Sequence, residues 1–202
     1  INAIAKKKFK LVIDYSYGIA STIFPTILGD FKCEVVSLSA HLDKDKITRD
    51  AEEFNQAQDK FTFVVKSLNF DYGFMIDAGG EKIWICTNDG KVLSDDRSLT
   101  LVLKLFLMVN PDTKKVAVPV QATGEVDMIA KEYGTQVIRV KNTHFSMMEA
   151  CEDKEVRFAG GTRRGFLFPE YLYATDGMFS ISKILELLSN TDKTIQQLDD
   201  EI

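Results

Sequence analysis

Tyr72-Gly-Phe-Met-Ile-Asp77-Ala-Gly-Gly-Glu81-Lys82-Ile-Trp-Ile-Cys-Thr-Asn-Asp-Gly90 decides how this chain is read. The apolar run Phe74, Met75, Ile76 predicts a buried strand, with Asp77 emerging at its carboxyl end, where ligands of α/β sheets gather. Gly79 and Gly80 permit the unusual dihedrals and close backbone approach of a tight cage. Asp77 and Glu81 offer hard oxygen ligands of the kind Mg²⁺ takes, and Lys82 can neutralise charge on a phosphoryl group beside a metal. The same acid–Gly–Gly–acid–Lys composition also makes an ordinary solvated turn, so spacing alone leaves both readings open. A hairpin with its turn at Asn88, Asp89 and Gly90 is expected to follow.

Working outward, 202 residues allow one large core or two of ordinary domain size. A net charge of -5 without a dense basic stripe argues against a nucleic-acid partner. Lys6, Lys7 and Lys8 read as a solvated lead-in to the first strand, and a start at Ile1 almost directly into a strand suggests a truncated chain. Cys33, Cys86 and Cys151 are too far apart for a metal or redox motif and read as reduced, buried thiols. No segment has the length and apolarity of a membrane span and no secretory signal is visible, so a cytoplasmic location is expected.

Strands are expected over residues 9–14, 33–38, 115–120, 136–140, 155–159 and 165–168, besides the one running into Asp77. Helices are expected over 20–31, 48–68, 98–109, 124–133, 145–151, 177–188 and 192–200. The helix over 48–68 carries apolar residues at Ala51, Phe54, Ala57, Phe61, Val64, Val65 and Leu68, an amphipathic spacing. Strand–helix alternation in both halves predicts two consecutive α/β domains with mixed, mostly parallel sheets flanked by helices. Asn110-Pro-Asp-Thr113 marks the expected boundary, giving domains 1–110 and 111–202.

The segment Asp77-Ala-Gly-Gly-Glu81-Lys82 resembles the metal loop of the α-D-phosphohexomutases, the phosphomannomutase and phosphoglucomutase family, whose pattern is Asp-Gly-Asp-Gly-Asp-Arg. Leu11-Val-Ile-Asp14-Tyr-Ser-Tyr-Gly18 is similar to the opening of that family's second domain, and Leu93-Ser-Asp95-Asp96-Arg97 to a segment downstream of the metal loop. Thr143-His144 falls where the mutases have Gly-His. Gly160-Gly161-Thr162-Arg163-Arg164-Gly165 lies at the sugar-specificity loop, and Asp176-Gly177 at the start of the next helix. The resemblance covers essentially the whole chain and implies domains II and III of a four-domain protein. The departures matter chemically. The middle aspartate is Gly79, the third ligand is Glu81, and the arginine is Lys82, which lacks a guanidinium's bidentate fork. The sugar loop lacks the family's glutamate and serine, and Gln121 stands at a strand end where lysine is usual.

The resemblance implies a fragment of a phosphomannomutase/phosphoglucomutase-like protein of carbohydrate and nucleotide-sugar biosynthesis, moving phosphate between hexose positions 1 and 6. Asp77 and Glu81 then hold Mg²⁺ weakly or not at all, Lys82 and His144 take catalytic roles, and Thr162, Arg163 and Arg164 bind a hexose phosphate. The partners implied are the missing upstream and downstream domains. With metal and sugar loops both altered and no phosphoserine segment, reduced or absent activity is expected. The alternative is a non-catalytic sugar-phosphate-binding or scaffold region of a mannose-1-phosphate guanylyltransferase fusion protein.

Overall fold

A computed structural model describes residues 2–202. The elements, in chain order, are α1 (Asn2–Lys7), β1 (Lys10–Asp14), α2 (Ala20–Asp30), β2 (Glu34–Leu38), α3 (Ala51–Leu68), β3 (Tyr72–Ile76), β4 (Ile83–Thr87) and α4 (Asp95–Val109). They continue as β5 (Lys115–Pro119), α5 (Glu125–Glu132), β6 (Gln136–Val140), α6 (His144–Ala150), β7 (Val156–Gly160), β8 (Phe166–Leu167), α7 (Gly177–Ser189) and α8 (Ile195–Asp200).

Two compact units form, one from Ile1–Leu93 with Gly177–Ser189, the other from Ser94–Asp176 with Asn190–Ile202. Each holds a four-stranded sheet, ordered β2-β1-β3-β4 and β6-β5-β7-β8. In the first, β1 pairs in parallel with β2 and β3, and β4 runs antiparallel to β3. The second repeats the plan, with β5 parallel to β6 and β7 and with β8 antiparallel to β7. Central β3 is buried at every position, with α3 and α7 packed on it, hence its unbroken apolar sequence. In the first unit Phe61 and Val65 of α3 pack with Val12, Met75 and Cys86. In the second, Met147 of α6 packs with Ala117, Val156 and Leu167.

The expected two α/β domains with mixed sheets are present, but the division differs from the one expected at residues 110 and 111. Helix α4 belongs with the second unit, where Phe106 stacks on Phe158 with ring centroids 5.4 Å apart. Helix α7, from the second half of the sequence, belongs with the first unit and packs on α1, β3 and β4. The Asn110–Thr113 turn therefore joins two elements of one unit. The lysine run also differs from expectation: Lys6 and Lys7 end a short helix whose Ile4 is buried. Cys33 is half-buried, while Cys86 and Cys151 are buried, and all three are free thiols.

Candidate functional site

The loop between β3 and β4 is itself the hairpin turn. The carboxylate of Asp77 fastens it: Oδ1 accepts the backbone N–H groups of Glu81 at 2.7 Å and Lys82 at 2.8 Å. The Asp77 N–H donates to the Lys82 carbonyl at 3.1 Å and the Gly80 N–H to the Asp77 carbonyl at 2.9 Å. Gly80 sits at φ +77°, a conformation that suits glycine. Neighbouring backbone presses closely. A Cβ on Gly18, in the turn before α2, would lie 2.4 Å from the Ala78 carbonyl oxygen. Gly177 starts α7 by donating its N–H to the Gly80 carbonyl at 2.7 Å. Glu81 is exposed and Lys82 half-buried.

With Oδ1 committed to the loop, Asp77 Oδ2 and the Glu81 carboxylate are the oxygens left to a cation. Gly79 contributes no side chain, and a Cβ built there lies 3.6 Å from Asp77 Oδ2, in ordinary contact with that oxygen. Among the described residues, no three His, Cys, Asp or Glu side chains come together as a metal cluster. Mg²⁺ demands near-octahedral oxygen geometry and sheds water reluctantly. The residues present do not make a three-carboxylate cage.

In the second unit, the loop following β7 is closed by the Gly161 N–H donating to the Gly165 carbonyl at 2.9 Å. Thr162 Oγ1 accepts from Asn142 Nδ2 at 3.1 Å, which ties this loop to the segment leading into α6. Thr143 caps α6, its hydroxyl accepting the Ser146 N–H at 3.1 Å, and exposed His144 is the first residue of that helix. Arg164, at φ 65°, ion-pairs through Nε with Asp95 at the start of α4. Arg163 is exposed, as is Gln121 just past β5. The structure thus joins Asp77, Glu81 and Lys82 in one loop of the first unit. It brings Thr162 beside the segment that carries His144 in the second. Asn142 went unread because an asparagine between a strand and a helix looks like any turn residue.

The profile of phosphoglucomutase/phosphomannomutase alpha/beta/alpha domain II matches residues 1–90, and that of domain III matches residues 94–202. This chain belongs to the phosphoglucomutase/phosphomannomutase family. It is similar to a phosphoglucomutase/phosphomannomutase of Thermococcus kodakarensis, 27% identical over 100% of this chain and 44% of the relative. A phosphoglucosamine/phosphogalactosamine mutase of Sulfurisphaera tokodaii is 26% identical over 100% of this chain and 45% of the relative. The chain therefore spans less than half the length of these relatives. A Burkholderia thailandensis family structure shares the fold with a TM-score of 0.82 at 22% identity, covering 98% of this chain and 45% of that one. An Aspergillus fumigatus N-acetylphosphoglucosamine mutase, solved with GlcNAc-6P and magnesium, gives a TM-score of 0.70 at 10% identity over 98% of this chain and 50% of that one. The family profiles change at residues 90 to 94, close to the structural division after Leu93.

Proposed function

We propose that this chain is the central, two-domain part of a phosphohexomutase-like protein acting on hexose phosphates, with reduced or absent turnover of its own. The observation that carries the proposal is the β3–β4 loop. Its leading aspartate is engaged by two backbone N–H groups, its middle ligand is Gly79, and its cation is a lysine. In a phosphoryl transfer that depends on positioned charge, each change weakens stabilisation of the transferred group. Lys82 keeps one positive charge at the loop, where it would meet a phosphoryl oxygen as a point charge.

In the second unit, Thr162 offers a hydroxyl and Arg163 an exposed guanidinium to a sugar phosphate, with Asn142 fixing the orientation of Thr162. His144 stands at the helix start, available to a sugar hydroxyl. Arg164 acts chiefly in holding the loop against Asp95. With the metal loop weakened and the sugar loop altered but still carrying Thr162 and Arg163, sugar-phosphate binding is favoured over catalysis. That leaves the scaffold role in a guanylyltransferase fusion as the second reading.

A coupled assay on the purified chain tests the proposal, using glucose 1-phosphate and mannose 1-phosphate with hexose bisphosphate and Mg²⁺ present. No 6-phosphate above the enzyme-free control is expected. Sustained product formation by the 202-residue chain overturns it.

A further inference from the structure

In the second sheet β5 lies between β6 and β7, and all three run parallel. The segments 120–124, 141–143 and 161–165 therefore leave the same carboxyl end, where α/β sheets take ligands. None of their residues is an aspartate or glutamate, in a chain that has 30 of them. The corresponding segments of the first unit carry Asp43, Asp45, Asp77 and Glu81.

Arg163 is exposed at this end and makes no ion pair or hydrogen bond among the described residues. Every other arginine of the chain is paired with a carboxylate. Lys141 is a second exposed cation without a carboxylate partner among the described residues. It adjoins Asn142, whose Nδ2 donates to Thr162 Oγ1 at 3.1 Å. Thr162 spends an acceptor on that bond, and its own proton meets no acceptor among the described residues. The frame beneath these groups is fixed. Arg164 holds the loop to Asp95, and the Arg139 guanidinium donates to the carbonyls of Pro119 at 3.3 Å and Ala122 at 2.7 Å.

What the two loops around Asn142 and Thr162 offer is donors: a guanidinium, an ammonium and a hydroxyl proton. A phosphate presents acceptors alone, whereas a sugar hydroxyl both accepts and donates. Selecting one epimer requires a fixed acceptor that the wrong hydroxyl leaves unpaired. No carboxylate stands here to do that, and the exposed Gln121 amide, unpartnered among the described residues, can turn either end to a ligand.

Resting on the sugar-phosphate reading above, we propose that the second unit recognises its ligand by the phosphate group. Arg163 and the Thr162 hydroxyl hold it, and hexose phosphates that differ in ring epimer are taken alike.

The test is a backbone-amide NMR titration of the full chain with the 1-phosphates of glucose, mannose and galactose, repeated with inorganic phosphate and with free glucose. Saturable shifts are expected at Gly161, Thr162 and Arg163 with all three sugar phosphates, at dissociation constants within about threefold of one another. Inorganic phosphate should move the same amides, and glucose should not. Arg163→Gln should weaken binding of every phosphate roughly tenfold or more, the scale of one charge-assisted hydrogen bond. Arg163 bonds nothing else among the described residues, so this variant keeps its fold. A larger epimer preference, shifts that require the sugar, shifts gathered at the β3–β4 loop instead, or equal binding by Arg163→Gln overturns this inference and leaves the sugar-phosphate reading standing. No saturable shift with any hexose phosphate overturns both.

Discussion

One oxygen of Asp77 holds the β3–β4 loop closed, which gives this residue a structural task that does not depend on any metal. Asp77→Ala leaves the N–H groups of Glu81 and Lys82 without their acceptor. The expected loss is about 1–3 kcal/mol, read as a lower melting temperature in buffer containing a chelator. A residue serving only as a metal ligand would show no loss under those conditions. At this scale the turn was legible. An acid closing an apolar strand and followed by two glycines announces a tight turn, and both Gly80 at φ +77° and the Asp77 bonds agree with it. Asn142 was not legible. Its hold on Thr162 comes from a partner 20 residues away, in no pattern that spacing can reveal.

Elements were read from periodicity, and their ends from capping chemistry. Helix α3 begins at Ala51 rather than residue 48 because Asp50 forms a capping box with Glu53: its carboxylate accepts the Glu53 N–H at 2.8 Å, and the Glu53 carboxylate accepts the Asp50 N–H at 3.0 Å. Asp50→Ala is expected to lower stability by about 1 kcal/mol, measured by urea unfolding with an unchanged slope. Helix α1 was missed because six residues ending in a lysine run give less than two turns of pattern. The unit to which α4 and α7 belong was missed for a different reason. Periodicity reports that a helix has an apolar face and says nothing about which sheet it covers. Phe106 finds its partners in Phe158 and Phe168, far along the chain, and the Asn110–Thr113 turn marks only a change of direction.

Across the whole molecule, burial holds several weak acids in their protonated forms. Burial pushes the thiols of Cys33 and Cys151 up from 9.0 to about 11 and that of Cys86 to about 12. Desolvation likewise raises the Tyr15 phenol from 10.0 to about 12. Each group ionises more readily in the unfolded chain, so its contribution to stability is whole below pH 9.0 and is lost as pH rises toward 12. Melting temperature should therefore fall between pH 9.0 and 12, and a thiol reagent at pH 8 should modify Cys86 and Cys151 only after unfolding. The β3–β4 loop is proposed to be a family metal site reduced to Asp77 Oδ2 and Glu81. Calorimetric titration of the intact chain with Mg²⁺, beside Gly79→Asp, tests it most directly. Wild type should bind on the order of millimolar or weaker, and the added carboxylate should tighten binding by about tenfold. Micromolar binding by wild type, with no gain from Gly79→Asp, would contradict the account.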